Sequence, residues 1–283
     1  MLEIVIVLAI IIIPIIYGMA KKIHISLMLI ISNFVIYFIT LLFNSLVINL
    51  AFSPSYLYEP SKLYTLLTSM FLHSTRHIDH ILMNMLGLFF IGLPFENEVG
   101  AKKFLVVYFI SGICASLTFS FLGGKGLLIG ASGAIFGILG SFAASYPFKK
   151  VVVPLPLFIF LFIRIPVIIL ALLYAGLETF YTFLGITDGI AHTAHLGGFV
   201  AGVFLSHFIK VKVHMKRISI KGIEELLTDE NQRKIFKKAM EADEEEIRDA
   251  WLSYLAKRLR CPKCGGELEL NNRICCKKCG YMK

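Results

Sequence analysis

Gly130-Ala131-Ser132-Gly133-Ala134-Ile135-Phe136-Gly137 lies inside an apolar run over about 126–146. A serine flanked by glycines in such a run has two explanations. Small residues let membrane helices approach one another closely. Alternatively, the serine is a nucleophile whose surroundings are cleared of bulk so that a backbone can come near it. The stretch by itself favours packing, and the rest of the chain decides whether chemistry is added.

The 283 residues are 57% hydrophobic, with a mean hydropathy of +0.77. These values exclude an ordinary soluble domain and mark an all-α polytopic membrane protein. Net charge is +9, but Lys and Arg concentrate after Lys210 and in short clusters between apolar runs. That distribution suits membrane orientation, and no nucleic-acid partner is expected. Runs of spanning length fall at about 2–20, 25–51, 78–93, 104–122, 126–146, 165–184 and 190–209, one leading helix plus six. The first carries Glu3 where a secretion signal would be basic and has no clear small-x-small site, so it reads as a retained helix. The run at 78 is short unless helix continues upstream through the His-rich stretch. Segment 151–163, with Pro154 and Pro156, reads as an interfacial or re-entrant lead-in.

Lys21-Lys22, Lys102-Lys103, Lys149-Lys150 and the basic tail fall on one side of this arrangement, against Lys62, Arg76 and Lys125 on the other. The positive-inside rule then makes the C-terminus cytoplasmic, and the spans at 78, 126 and 190 start at the outer face. His80 and Asn84 lie near the start of the first of these, Ser132 about six residues into the second and His195 about five into the third. At about 1.5 Å per residue all reach a common depth of roughly 10 Å. Gly126, Gly130, Gly133, Gly137 and Gly140 recur at fours and threes, as do Ala191, Ala194, Gly198, Ala201 and Gly202. Two such bare stripes favour close helix contact, which could bring Ser132 and His195 within hydrogen-bond reach.

A serine hydroxyl needs a base, and His195 is the best placed. With no obvious buried Asp the pair is a dyad, its ring oriented by packing. His80 and Asn84, four apart on one helix face, and the Ser132 backbone N–H could supply donors to an oxyanion. His73, His77 and His80 could instead share a helical face and ligate a metal, as a transporter would require. The preferred alternative makes His73 and His77 ordinary interfacial residues. Glu178, an acidic residue within a span, is expected to snorkel outward, with gating of a cavity as the alternative.

In this context the chain resembles the rhomboid family of intramembrane serine proteases over about 64–207. The resemblance is carried by Thr68-Ser69-Met70-Phe71-Leu72-His73, His80-x-x-x-Asn84-Met85, Gly92-x-x-x-Glu96-x-x-x-Gly100, Gly130-Ala131-Ser132-Gly133 and Ala191-His192-x-x-His195-Leu196-Gly197-Gly198-x-x-x-Gly202. It departs in placing Tyr64-Thr65 where the family has Trp-Arg, and in a His73–His80 spacing two residues longer. The resemblance implies Ser132 as nucleophile, His195 as base, and His80 and Asn84 as oxyanion donors. It also implies that Phe136 lies against the catalytic histidine, that a substrate helix enters past the span at 165–184, and that catalysis needs no cofactor.

Near the C-terminus, Cys261-Pro262-Lys263-Cys264-Gly265 and Cys276-Lys277-Lys278-Cys279-Gly280 resemble the two knuckles of a zinc ribbon. Four thiolates suit a structural Zn²⁺, with spacing that favours Cys276 over Cys275. Disulfides are not expected on a cytosolic face. Ile247, Ala250, Trp251, Tyr254 and Leu255 recur at helical spacing ahead of the knuckles. The expected organisation is an N-terminal transmembrane helix (1–22), a rhomboid-like six-helix core (23–210), a cytosolic amphipathic linker (211–259) and a small cytosolic zinc ribbon (260–283). The expected function is cleavage of transmembrane substrates near the outer face of a cell membrane, the site opening outward. The alternative is a non-catalytic adaptor that binds transmembrane clients and recruits a cytosolic partner through the ribbon.

Overall fold

Long apolar runs fold as helices here because a bilayer offers no partner to a free N–H or C=O, and a helix satisfies both within one segment. The computed structural model describes residues 2–155, 158–186, 189–209, 222–242, 245–270 and 274–282. They divide into two units, Met1–Val211 and Lys212–Lys283.

In the first unit α1 (Leu2–Lys21) and α2 (Ile25–Leu42) pack side by side, followed by the short α3 (Ser45–Leu50) and the single turn α4 (Thr65–Thr68). Then come α5 (Ile78–Gly87), a π-helical segment (Leu88–Gly92), α6 (Leu93–Val99), α7 (Ala101–Phe121) and α8 (Ser132–Ser145). A hairpin of β1 (Lys150–Leu155) and β2 (Phe158–Pro166) leads into α9 (Val167–Leu184), and α10 (His192–Ile209) closes the unit. Among the described residues, five helical stretches are long and apolar enough to cross a membrane: Glu3–Lys21, Ile25–Leu42, Ile78–Val99, Ala101–Phe121 and Val167–Leu184. This is a multi-pass, mostly helical membrane protein.

Several elements differ from the sequence expectation. The run at 25–51 breaks after Leu42 into α2 and α3. The run at 78 lengthens downstream, through the π segment to Val99, and not upstream through the histidines. The proline-containing lead-in is an antiparallel hairpin, pairing Lys150 with Pro166 through Pro154 with Phe162; Pro156 lies outside the described residues. A continuous apolar run cannot distinguish strand from helix by periodicity, and Pro removes the N–H that a helix interior needs.

Glu96 anchors the base of the unit. Its carboxylate is buried and accepts from the backbone N–H groups of Ile25 (2.7 Å) and Ser26 (2.8 Å), free donors at the start of α2. Tyr64 donates its hydroxyl to the Asn49 carbonyl at 2.9 Å.

Helices α7, α8 and α10 pack mutually at the centre. Glycines set the spacing, because a Cβ at Gly198 or Gly202 would overlap the backbone of Gly133 or Gly137 respectively. A Cβ at Gly137 would in turn strike the Ser111 side chain of α7. Backbone-to-backbone contact of this kind gains dispersion and excludes every larger residue.

In the second unit Asp229 caps α11 (Glu230–Met240), accepting from the Gln232 N–H at 2.7 Å. Helix α12 (Glu245–Ala256) packs on α11, and β3 (Leu268–Leu270) pairs with β4 (Ile274–Cys276). One core joins them: Ile223, Ile235, Phe236, Leu252, Leu255, Leu259, Leu268 and Ile274 are buried together with Cys261 and Cys276. Lys238 lies over the Trp251 ring, 5.2 Å from its centroid.

Candidate active site

Ser132 is the first residue of α8, not a residue six positions into a helix. At about 1.5 Å per residue, 14 residues make roughly 21 Å, short of the ~30 Å hydrocarbon core. The stretch before the helix is irregular. Gly126 and Gly130 hold φ of 83° and 118°, Leu128 pairs with Phe52, and the Gly130 N–H donates to the Ser69 carbonyl at 2.9 Å. Those two glycines therefore lie outside the helical stripe to which spacing assigned them. Gly130 instead provides clearance: a Cβ there would stand 2.8 Å from His80 Nε2. As the first helical residue, Ser132 has a backbone N–H with no intrahelical acceptor, at the positive end of the helix dipole.

His195 is the fourth residue of α10. Its Nε2 lies 2.7 Å from Ser132 Oγ, across 63 residues of sequence. Phe136, one turn along α8, stacks on the imidazole with centroids 4.5 Å apart and planes at 7°. Gly198, one turn past His195, is pressed on Gly133 beside Ser132, so the glycine contact fixes the separation of the two side chains.

His80 Nδ1 accepts the Ser74 N–H at 3.2 Å, which leaves Nε2 as the protonated donor nitrogen, facing Gly130 and Ser132. Asn84 is buried one turn further along α5, its Nδ2 donating to the His80 carbonyl at 2.7 Å and retaining a second N–H. Loop and helix part the other histidines. His77 is exposed at the cap of α5, whereas His73 is fully buried ahead of it, its ring 5.1 Å from that of His80. The shared helical face required for a three-histidine metal site is absent, because the helix begins at Ile78.

Glu178 overturns its sequence expectation. It does not snorkel: it is buried, with Oε1 2.9 Å from His195 Nδ1 and Oε2 2.5 Å from His192 Nδ1. The dyad thus has an acidic neighbour after all, and His192 shares it. Sequence offered one signal, since an ionisable residue in the middle of an apolar span is costly unless partnered. Its partners came from another helix, and no local pattern identifies them.

In the second unit the four expected thiols converge, the Sγ atoms of Cys261, Cys264, Cys276 and Cys279 lying within 4.8 Å of one another. Cys261 to Cys279 is 3.6 Å and Cys264 to Cys276 is 3.5 Å. Disulfides would need about 2.05 Å, whereas a tetrahedron with Zn–S of about 2.3 Å has S···S edges of about 3.8 Å. The two knuckles repeat one geometry. Gly265 and Gly280 hold φ of 68° and 69° and donate to the Cys261 and Cys276 carbonyls. The N–H groups of Lys263 and Lys278 point at the Cys261 and Cys276 sulfurs, each at 3.4 Å. The Cys279 backbone, followed by that of Lys278, pulls the Cys276 thiol down to about 6, toward the thiolate that ligates metals. Cys275 is outside the cluster, as strand alternation requires of the neighbour of an inward-facing Cys276.

Residues 60–211 match the family described as Rhomboid domain. The chain is 34% identical over 155 residues to "Rhomboid-like protease 3" of Toxoplasma gondii, covering 55% of this chain and 54% of that protein. It is 30% identical over 137 residues to "RHOMBOID-like protein 4" of Arabidopsis thaliana, covering 48% and 32%. It is 33% identical over 148 residues to "Rhomboid protein 1, mitochondrial" of Saccharomyces cerevisiae, covering 49% and 40%. The match thus spans about half the length of the first relative and less of the other two.

Proposed function

The chain belongs to the rhomboid family, and on that premise we propose that it is an intramembrane serine endopeptidase acting on transmembrane substrates. The observation that carries the proposal is the 2.7 Å approach of His195 Nε2 to Ser132 Oγ inside a helical bundle. Ser132 Oγ attacks the scissile carbonyl and His195 takes its proton. The same proton then passes to the leaving amine, and water hydrolyses the acyl-enzyme by the reverse sequence. His80 Nε2–H, the remaining Asn84 N–H and the Ser132 backbone N–H stabilise the oxyanion, each such donor being worth about 10²–10³ in rate. Gly130 and Gly133 keep space for those approaches, and Phe136 backs the imidazole.

Orientation follows from charge: Lys and Arg flank the cytoplasmic ends, so the site opens to the outer face of the membrane. Cys261, Cys264, Cys276 and Cys279 hold a structural Zn²⁺ in a cytosolic module. Its sulfur spacing and paired knuckles fit that ion, which supplies cross-linking and no catalysis.

The test is reconstituted cleavage of a reporter transmembrane helix. Wild type cuts it, and Ser132→Ala, folded and inserted, loses at least about 10⁴-fold in rate. Undiminished cleavage by Ser132→Ala would sink the proposal. A wild type that captures the helix without cutting it would identify a client-binding protein instead.

A further inference from the structure

Glu178 is a carboxylate buried among apolar helices, a placement expensive enough to need partners. Each of its oxygens meets the Nδ1 of one histidine, His192 at 2.5 Å and His195 at 2.9 Å. We propose that Glu178, clamped by His192, is the third member of the catalytic set, a positioning residue that fixes the tautomer and orientation of His195. This inference rests on the serine-protease reading above.

A carboxylate only accepts hydrogen bonds, so the proton of neutral His195 sits on Nδ1. That leaves the Nε2 lone pair, 2.7 Å from Ser132 Oγ, as the base. During attack the Ser132 O–H bond breaks, its proton goes to Nε2, the Oγ–C bond forms, and the carbonyl electron pair moves onto oxygen. The imidazolium then carries two N–H groups, and the Nδ1–H remains bonded to a Glu178 that keeps its charge. His192 occupies the other carboxylate oxygen and prevents the side chain from rotating away. Tyr181, one turn beyond Glu178, lies against the His192 ring with centroids 5.2 Å apart. The same three residues could be read as a metal site, but their N···O separations of 2.5 and 2.9 Å are shorter than the about 3.3 Å edge of a tetrahedron with metal–ligand bonds of about 2.0 Å. Metal on His195 Nδ1 would move its proton to Nε2 and remove the base facing Ser132.

The test uses full-length wild type, Glu178→Gln, Glu178→Asp, Glu178→Ala and Ser132→Ala in the reporter cleavage assay. Rates of the variants that keep Ser132 are expressed per active site titrated with a fluorophosphonate, which corrects for any unfolded fraction, and that of Ser132→Ala per mole of folded protein. Glu178→Ala should lose about 10²–10⁴ in kcat with KM little changed, because the carboxylate orients the base and does not bind substrate. Glu178→Gln should lose at least about 10² in kcat, since its amide can present N–H to Nδ1 and favour the wrong tautomer. Glu178→Asp, which keeps the acceptor and charge, should recover at least about tenfold over Glu178→Ala. If Ser132→Ala is dead while Glu178→Ala and Glu178→Gln keep kcat within about threefold of wild type per titrated site, the inference is overturned and the protease reading stands. Loss confined to the number of titratable sites, with kcat per site unchanged, also overturns it, because that is the mark of a purely structural tether. An active Ser132→Ala removes both readings together.

Discussion

The membrane unit and the cysteine module both bring four polar groups to one point, but by different means. Ser132, His195, Glu178 and His192 are gathered from three helices, of which α8 and α10 are spaced where Gly198 meets Gly133 and Gly202 meets Gly137. The four cysteines are gathered by two short knuckles over a small core. The difference follows from solvent. Helices in a bilayer gain little hydrophobic energy by touching, so close backbone contact must locate the site, and a side chain at the contact displaces it. A small aqueous module has little apolar area to hold loops in place, and the proposed metal on its four thiols would supply that stability.

If that contrast is right, the two regions should fail separately. The larger effect is expected at the glycine contact. Gly198→Ala raises intrinsic helix propensity, so any loss reports crowding against Gly133. It should cost about 1–3 kcal/mol of stability and lower reporter cleavage about 10–100-fold by misplacing His195. Thermal unfolding and cleavage kinetics would check this. Wild-type values for both would mean that glycine packing does not locate the site. A smaller effect on catalysis, and a complete one on the module, is expected from Cys276→Ser. Elemental analysis should find one zinc per wild-type chain and none in the variant, and limited proteolysis should degrade the variant's C-terminal unit first. Reporter cleavage should stay within about threefold, as for independent sites. A collapse of cleavage would show that the module supports catalysis.

The sequence was most legible where chemistry and packing repeat at short range. The glycine spacing identified the face of α10 and, from Gly133 onward, that of α8, and the two Cys-x-x-Cys-Gly segments named the four thiols that converge. It was least legible where tertiary context decides. Ser132 lies at a helix start because Gly126 and Gly130 take positive φ and Gly130 is tied to Ser69, which composition alone does not reveal. The hairpin Lys150–Leu155 and Phe158–Pro166 was hidden in an apolar run that suits either strand or helix. Glu178 was misassigned because its burial depends on two histidines 14 and 17 residues away, on the next helix.

The central claim is that His195 activates Ser132 across the α8–α10 contact. The most direct measurement is labelling of the purified protein by a serine-directed fluorophosphonate, with wild type beside Ser132→Ala and His195→Ala. The account predicts one labelled serine in wild type, none in Ser132→Ala and near-background labelling in His195→Ala. An unlabelled wild type, or a Ser132→Ala variant labelled as well as wild type, would contradict it.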